Sequence, residues 1–146
     1  MKKWIWIGSV IVVTASVLLL VFFGLNFACV NTNFAKNITL EVKTHTYGGE
    51  KREGFVVDID QDDVATLKRI FRGIANNAPP ICPWGDVYLI FSSGNKSLTI
   101  YLAGDGCNTV HLVRNGQKFY FTISEENNEL IKEILAKYGV KWNHSI

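Results

Sequence analysis

The residues able to do chemistry are few and scattered. Three cysteines stand at Cys29, Cys82 and Cys107, and three histidines at His45, His111 and His144. No C-x-x-C pair is present, and the Cys/His spacing matches no zinc ligand set. A hydrolase needs a positioned nucleophile and base, but no G-x-S-x-G motif occurs. Asp58, Asp60, Asp62 and Asp63 form an acidic cluster that resembles a calcium loop only superficially. Counted from Asp58, the sixth position is Asp63 where glycine is required, and the twelfth is Arg69 where glutamate is required. Helix capping explains the cluster better. No cofactor motif, metal set or catalytic constellation emerges, and the reading leans away from an enzyme.

Cys82 and Cys107 carry a different expectation. Both are flanked by turn formers, Pro79-Pro80 and Pro83 on one side and Gly104-Asp105-Gly106 on the other. A structural disulfide between them is expected, provided the domain lies outside the reducing cytoplasm. Such a bond would bring Trp84 beside the 104–108 loop. If the domain binds something, the expected edge is Trp84, Asp105, His111 and Tyr120. Trp84 has a competing reading as a cover for the disulfide, since tryptophan is highly buried on average. Cys29 reads as an unpaired bystander.

The surrounding elements decide where this edge sits. From Trp4 to Leu25 no residue is charged. As a helix this run spans about 33 Å, against about 30 Å for a bilayer's hydrocarbon core. Trp4 and Trp6 stand where an interfacial aromatic belt would be. The run is too long for a cleaved signal's apolar region. Asn26 and Phe27 fit a lipoprotein signal before Cys29 poorly. The expectation is therefore a cytoplasmic stub at 1–3, a transmembrane helix at 4–25, a polar spacer at 26–37 and an extracytoplasmic domain at 38–146. Lys2 and Lys3 precede the run and the next cation is Lys36, so the positive-inside rule puts the domain outside the cell membrane. Of 15 Lys+Arg and 13 Asp+Glu, the two extra cations are Lys2 and Lys3, and the remainder is formally neutral. A neutral domain has no global pull toward nucleic acid.

Within the domain, Ile38-Thr39-Leu40-Glu41-Val42-Lys43 alternates as a half-buried strand, and Phe55–Ile59 follows as a second. Tyr47–Gly54 reads as a charged, glycine-rich loop. Asp60 is placed to cap a helix whose apolar face would be Val64, Leu67, Ile70, Phe71 and Ile74, ending near Asn76-Asn77. Lys68, Arg69 and Arg72 would form its solvated side, with an anionic wall polymer or lipid headgroup as a rival reading. Val87–Phe91 and Leu98–Leu102 form a hairpin. Val110–Arg114 and Gln117–Phe121 form another through Asn115-Gly116, pairing Leu112 with Phe119 and His111 with Tyr120. Ser124 caps a last helix with the stripe Leu130, Ile131, Ile134, Leu135 and Tyr138, an expected Glu133–Lys137 pair, and a stop at Gly139. The order ββαββββα gives the fold class: α+β, a two-layer antiparallel sheet of about six strands packed by two amphipathic helices.

The stretch from Cys82-Pro83-Trp84-Gly85 through Gly104-Asp105-Gly106-Cys107 to the closing helix, behind a short basic start and one apolar segment, resembles uncharacterised small membrane-anchored exported proteins of Gram-positive bacteria. The resemblance implies no activity and no site residues. The function expected is an anchored, non-enzymatic module that binds a protein or envelope component. An envelope-acting enzyme and an accessory subunit contacted through its helix are the alternatives.

Overall fold

The turn at Asn115-Gly116 forms as its sequence demands. Both residues take positive φ, 52° and 78°, the requirement of a type I′ turn. The register follows: Leu112 faces Phe119, His111 faces Tyr120 and Val110 faces Phe121. This and all other geometry comes from a computed structural model, which describes residues 11–19, 21–22, 26–47, 50–82, 84–105, 107–140 and 142.

The elements are β1 (Phe27–Asn31), β2 (Asn37–Val42), β3 (His45–Tyr47), β4 (Glu50–Arg52), β5 (Phe55–Asp58), helix α1 (Gln61–Ile70), β6 (Arg72–Asn76), β7 (Trp84–Ser93), β8 (Lys96–Ala103), β9 (Thr109–Arg114), β10 (Gln117–Thr122) and helix α2 (Glu125–Lys137). Eight strands form one antiparallel sheet in the order β1-β6-β10-β9-β8-β7-β2-β5, and β3 pairs with β4 separately. The α+β class is as expected, but the main sheet has eight strands rather than about six. The extra strands come from two places. Phe27–Asn31, expected to be spacer, pairs with β6 through Ala28↔Ala75 and Val30↔Gly73. Its alternation of buried Ala28 and Val30 with exposed Cys29 and Asn31 is a strand period hidden among asparagines. The first helix also ends earlier than its apolar spacing suggested. Buried Thr32 brings its hydroxyl to the carbonyls of Lys68 (2.8 Å) and Phe71 (3.0 Å). That contact satisfies terminal carbonyls the helix itself cannot bond, and the chain turns out as β6. Ile74 therefore lies on an exposed strand face, not on the helix stripe. The charged stretch Tyr47–Gly54, expected as a loop, contains strand β4, which pairs back onto β3 just before it.

One sheet face carries Ile38, Leu40, Leu89, Phe91, Ile100, Leu102, Val110, Leu112, Phe119 and Phe121, which join Val64, Leu67, Ile70, Ile131, Ile134 and Leu135 from the helices in a single buried cluster. Phe71 meets Phe91 and Phe121 edge-on, at 5.6 and 6.3 Å between centroids. Asp60 takes the N-cap position of α1 without a side-chain bond, while the Ser124 side chain caps α2 by accepting from the Asn127 amide. Lys137 does not pair with Glu133. It reaches across to Asp63 on α1, 2.8 Å away, where a nearly buried carboxylate offers a stronger field than an exposed one. This bond is the main reason the Lys137 ammonium holds its proton above the usual lysine range. Gly139, at φ 79°, ends α2. Trp142 folds back into the core and donates its indole N–H to the Ala103 carbonyl at 2.6 Å.

Among the described residues no helix is long and apolar enough to cross a membrane. The run Trp4–Leu25 is described only in part: residues 11–19, 21 and 22 are helical, while 1–10, 20 and 23–25 lie outside the described residues.

Candidate functional site

Both helices cover one face of the sheet, so the opposite face carries the residues left over by the strand period. Register puts Tyr120 of β10, His111 of β9, Tyr101 of β8 and Tyr88 of β7 in one row across four strands. Tyr101 stacks on His111 with ring centroids 4.4 Å apart and planes 9° from parallel. Tyr88 meets Tyr101 edge-on at 4.7 Å, and Lys43 places its ammonium 4.6 Å above the Tyr88 ring. The row is a continuous aromatic ladder.

Trp84 closes one end of it. The ladder between β7 and β8 slips between Trp84 and Tyr88, and this irregularity turns Trp84 over the row. Its indole contacts His111 edge-on at 4.2 Å and stacks on Tyr120 at 5.3 Å. The neighbouring residue explains how the backbone gets there. A Cβ on Gly85 would sit 2.8 Å from the Gly104 Cα, so β7 and the turn after β8 approach as only glycines allow. Three of the four expected edge residues, Trp84, His111 and Tyr120, thus form one cluster.

Asp105 belongs to a different feature. Its carboxylate accepts the Cys107 amide at 3.0 Å, closing the turn. Cys82 and Cys107 are joined in the expected disulfide, with Cα atoms 6.7 Å apart. The Asp105 carboxylate and the two sulfurs lie within 4.8 Å of one another. Sulfurs bonded to each other are not thiolates, so the oxidised group lacks the ligands that hold zinc.

His111 is the most perturbed group on this face. It is 4% exposed, and its Nδ1 has no hydrogen-bond partner. Burial pushes the imidazole down to about 4, with Lys118 adding repulsion. At neutral pH the ring is therefore uncharged and acts as a flat aromatic plate. Among the described residues no serine, cysteine or carboxylate is hydrogen-bonded to its Nδ1.

Two grooves flank the sheet. One, of about 270 Å³, opens where β6 and β10 pair through a single residue couple, Tyr120↔Asn76, and is lined by Arg72, Ile74, Pro80 and Thr122 among others. The other, of about 590 Å³, gathers Lys36, Lys68, Arg69 and Arg72. The last three cations were grouped from sequence, but Lys36 was not placed with them, because it arrives from the β1–β2 turn. Sequence reading also missed Tyr88 and Tyr101, whose signal was present in the alternation of their strands. No family model, no curated protein and no solved structure matches the chain.

Proposed function

We propose that the chain is a membrane-anchored extracytoplasmic binding module whose partner docks on the helix-free face of its sheet. The observation that carries this reading is the aromatic row Trp84–His111–Tyr101–Tyr88, left partly open by helices that pack on the other side. Semi-exposed, rigid aromatic surface is what protein interfaces use for their strongest contacts. The anchor reading is supported by the apolar run from Trp4 to Leu25. It is also supported by eight apolar side chains, Ile11, Val12, Val13, Val17, Leu18, Leu19, Val21 and Phe22, each more than half exposed. Lys2 and Lys3 and the disulfide favour an outside address for the domain. The envelope-enzyme alternative finds no support in His111, which is neutral and ringed by aromatics.

A photocrosslinking residue in place of Tyr88, in cells, tests the docking face, with the same residue in place of Glu129 on α2 as control. A partner captured at position 88 and not at 129 supports the module. Capture at 129 alone, or nothing at 88 above an unrelated anchored protein, refutes it.

A further inference from the structure

Asn26 sits where the N-terminal helical segment becomes β1, and its side chain is shared between two elements. Its amide nitrogen donates to the Phe22 carbonyl at 2.8 Å, ending the helix. Its amide oxygen accepts from the Asn77 side chain at 3.0 Å, and its backbone carbonyl accepts from the Asn77 amide at 3.1 Å. Asn77 begins the β6–β7 connection, so this loop is tied to the point where the helical segment ends. The other end of the loop is fixed by the Cys82–Cys107 bond.

From these contacts we infer that the loop Ala78–Cys82 is a second membrane contact, seating Ile81 in the interface of the bilayer that holds the N-terminal helix. This rests on the anchor reading above. The loop's chemistry suits that occupant. From Asn76 to Trp84 no residue is charged. Ile81 is fully exposed, at 103%. The two residues before it, Pro79 and Pro80, have no backbone N–H to strip of water. An unpaired N–H is the main obstacle to placing irregular chain against lipid. Because β1 starts one residue after Asn26, no spacer separates the loop from the membrane. A single helix leaves a domain free to swivel, whereas a helix and a loop tied to it fix which way the aromatic face points.

The test uses the full-length native chain in phosphatidylcholine vesicles containing a phosphatidylcholine with a photoactivatable diazirine on its acyl chain. After irradiation, crosslinked residues are mapped by mass spectrometry. Adducts are expected on the N-terminal segment and on Ala78–Cys82, and not on Asn33, which is exposed beyond the opposite end of β1. Ile81→Asp should lower the loop adducts about tenfold or more, the factor for withdrawing one large aliphatic side chain from lipid, while circular dichroism and the N-terminal adducts stay unchanged. Adducts on the N-terminal segment without any on the loop overturn the seating and leave the anchor standing. Absence of adducts from both overturns the anchor and the seating together. Loop adducts that Ile81→Asp leaves unchanged would also overturn the inference.

Discussion

The buried imidazole of His111 makes the stability of this domain depend on pH in a defined window. In the unfolded chain the ring titrates near 6.5, and in the folded chain at about 4. Between those values the unfolded state binds a proton that the folded state refuses, so stability rises with pH. The contribution is fully present above pH 6.5 and is lost as pH falls to 4. One pKa unit is worth about 1.4 kcal/mol, which gives a total loss of about 3 kcal/mol, of which about 2 kcal/mol has gone by pH 5. For a domain of ordinary stability that is a large fraction. Carboxylates titrate in the lower part of the same window, so the measurement must be a difference. His111→Phe keeps a flat ring between Tyr101 and Trp84 and removes the proton site. Chemical denaturation of the full chain in detergent micelles, followed by tryptophan fluorescence from pH 7.5 to 4.5, should show the wild type losing about 2 kcal/mol more than the variant by pH 5. Parallel curves would refute the reasoning, because they would mean that the imidazole is as well solvated folded as unfolded.

Other perturbations follow from the same geometry. Replacing Cys82 and Cys107 together by serine should lower stability by about 3 kcal/mol, since the bond closes a separation of 25 residues; denaturation midpoints in the absence of reductant would measure it, and an unchanged midpoint would deny the bond a role. Trp84→Ala should cost about 2 kcal/mol while leaving a folded chain by circular dichroism, because the indole is only half-buried; complete unfolding would make Trp84 a packing residue and withdraw it from the docking face. Gly85→Ala should cost more than an ordinary surface change, on the order of 2 kcal/mol or above, because its Cβ meets the Gly104 backbone; a thermal melt equal to wild type would contradict the close approach. Gly116→Ala should cost about 1 kcal/mol through its positive φ, read by the same melts.

The parts of the fold that sequence made legible are those where local chemistry and tertiary packing ask for the same thing. Asn115-Gly116 fixes a turn by backbone sterics, and the turn fixes register, so the pairing of His111 with Tyr120 could be derived without any knowledge of the rest. Ser124 and Gly139 bracket α2 for reasons contained within that helix. The errors arise where a distant residue decides. The 3.6-residue spacing of Val64, Leu67, Ile70, Phe71 and Ile74 is real, yet Thr32, nearly forty positions earlier, bonds the end of α1 and releases the chain into β6. The partner of β6 is the five-residue β1, whose two buried residues are too few to announce a strand among asparagines. Lys137 had a good local partner in Glu133 and took a better one, Asp63, that only helix packing brings near.

The site divides along the same line. Trp84, His111 and Tyr120 could be placed together because one hairpin and one disulfide are enough to assemble them. Asp105 could not be separated from them by sequence, since a turn carboxylate and a binding carboxylate look alike until the Cys107 amide is seen donating to it. Tyr88 and Tyr101 were hidden because each reads as one more aromatic in an alternating strand; what gives them meaning is that both helices chose the other face. That choice is also what turns a neutral, motif-free domain into one with a definite surface to offer. An aromatic ladder under a second layer of helices would be core and nothing more. With helices on one side only, the same ladder stays partly open to solvent, and Trp84, held over its end by the Gly85–Gly104 contact, lies flat against Tyr120.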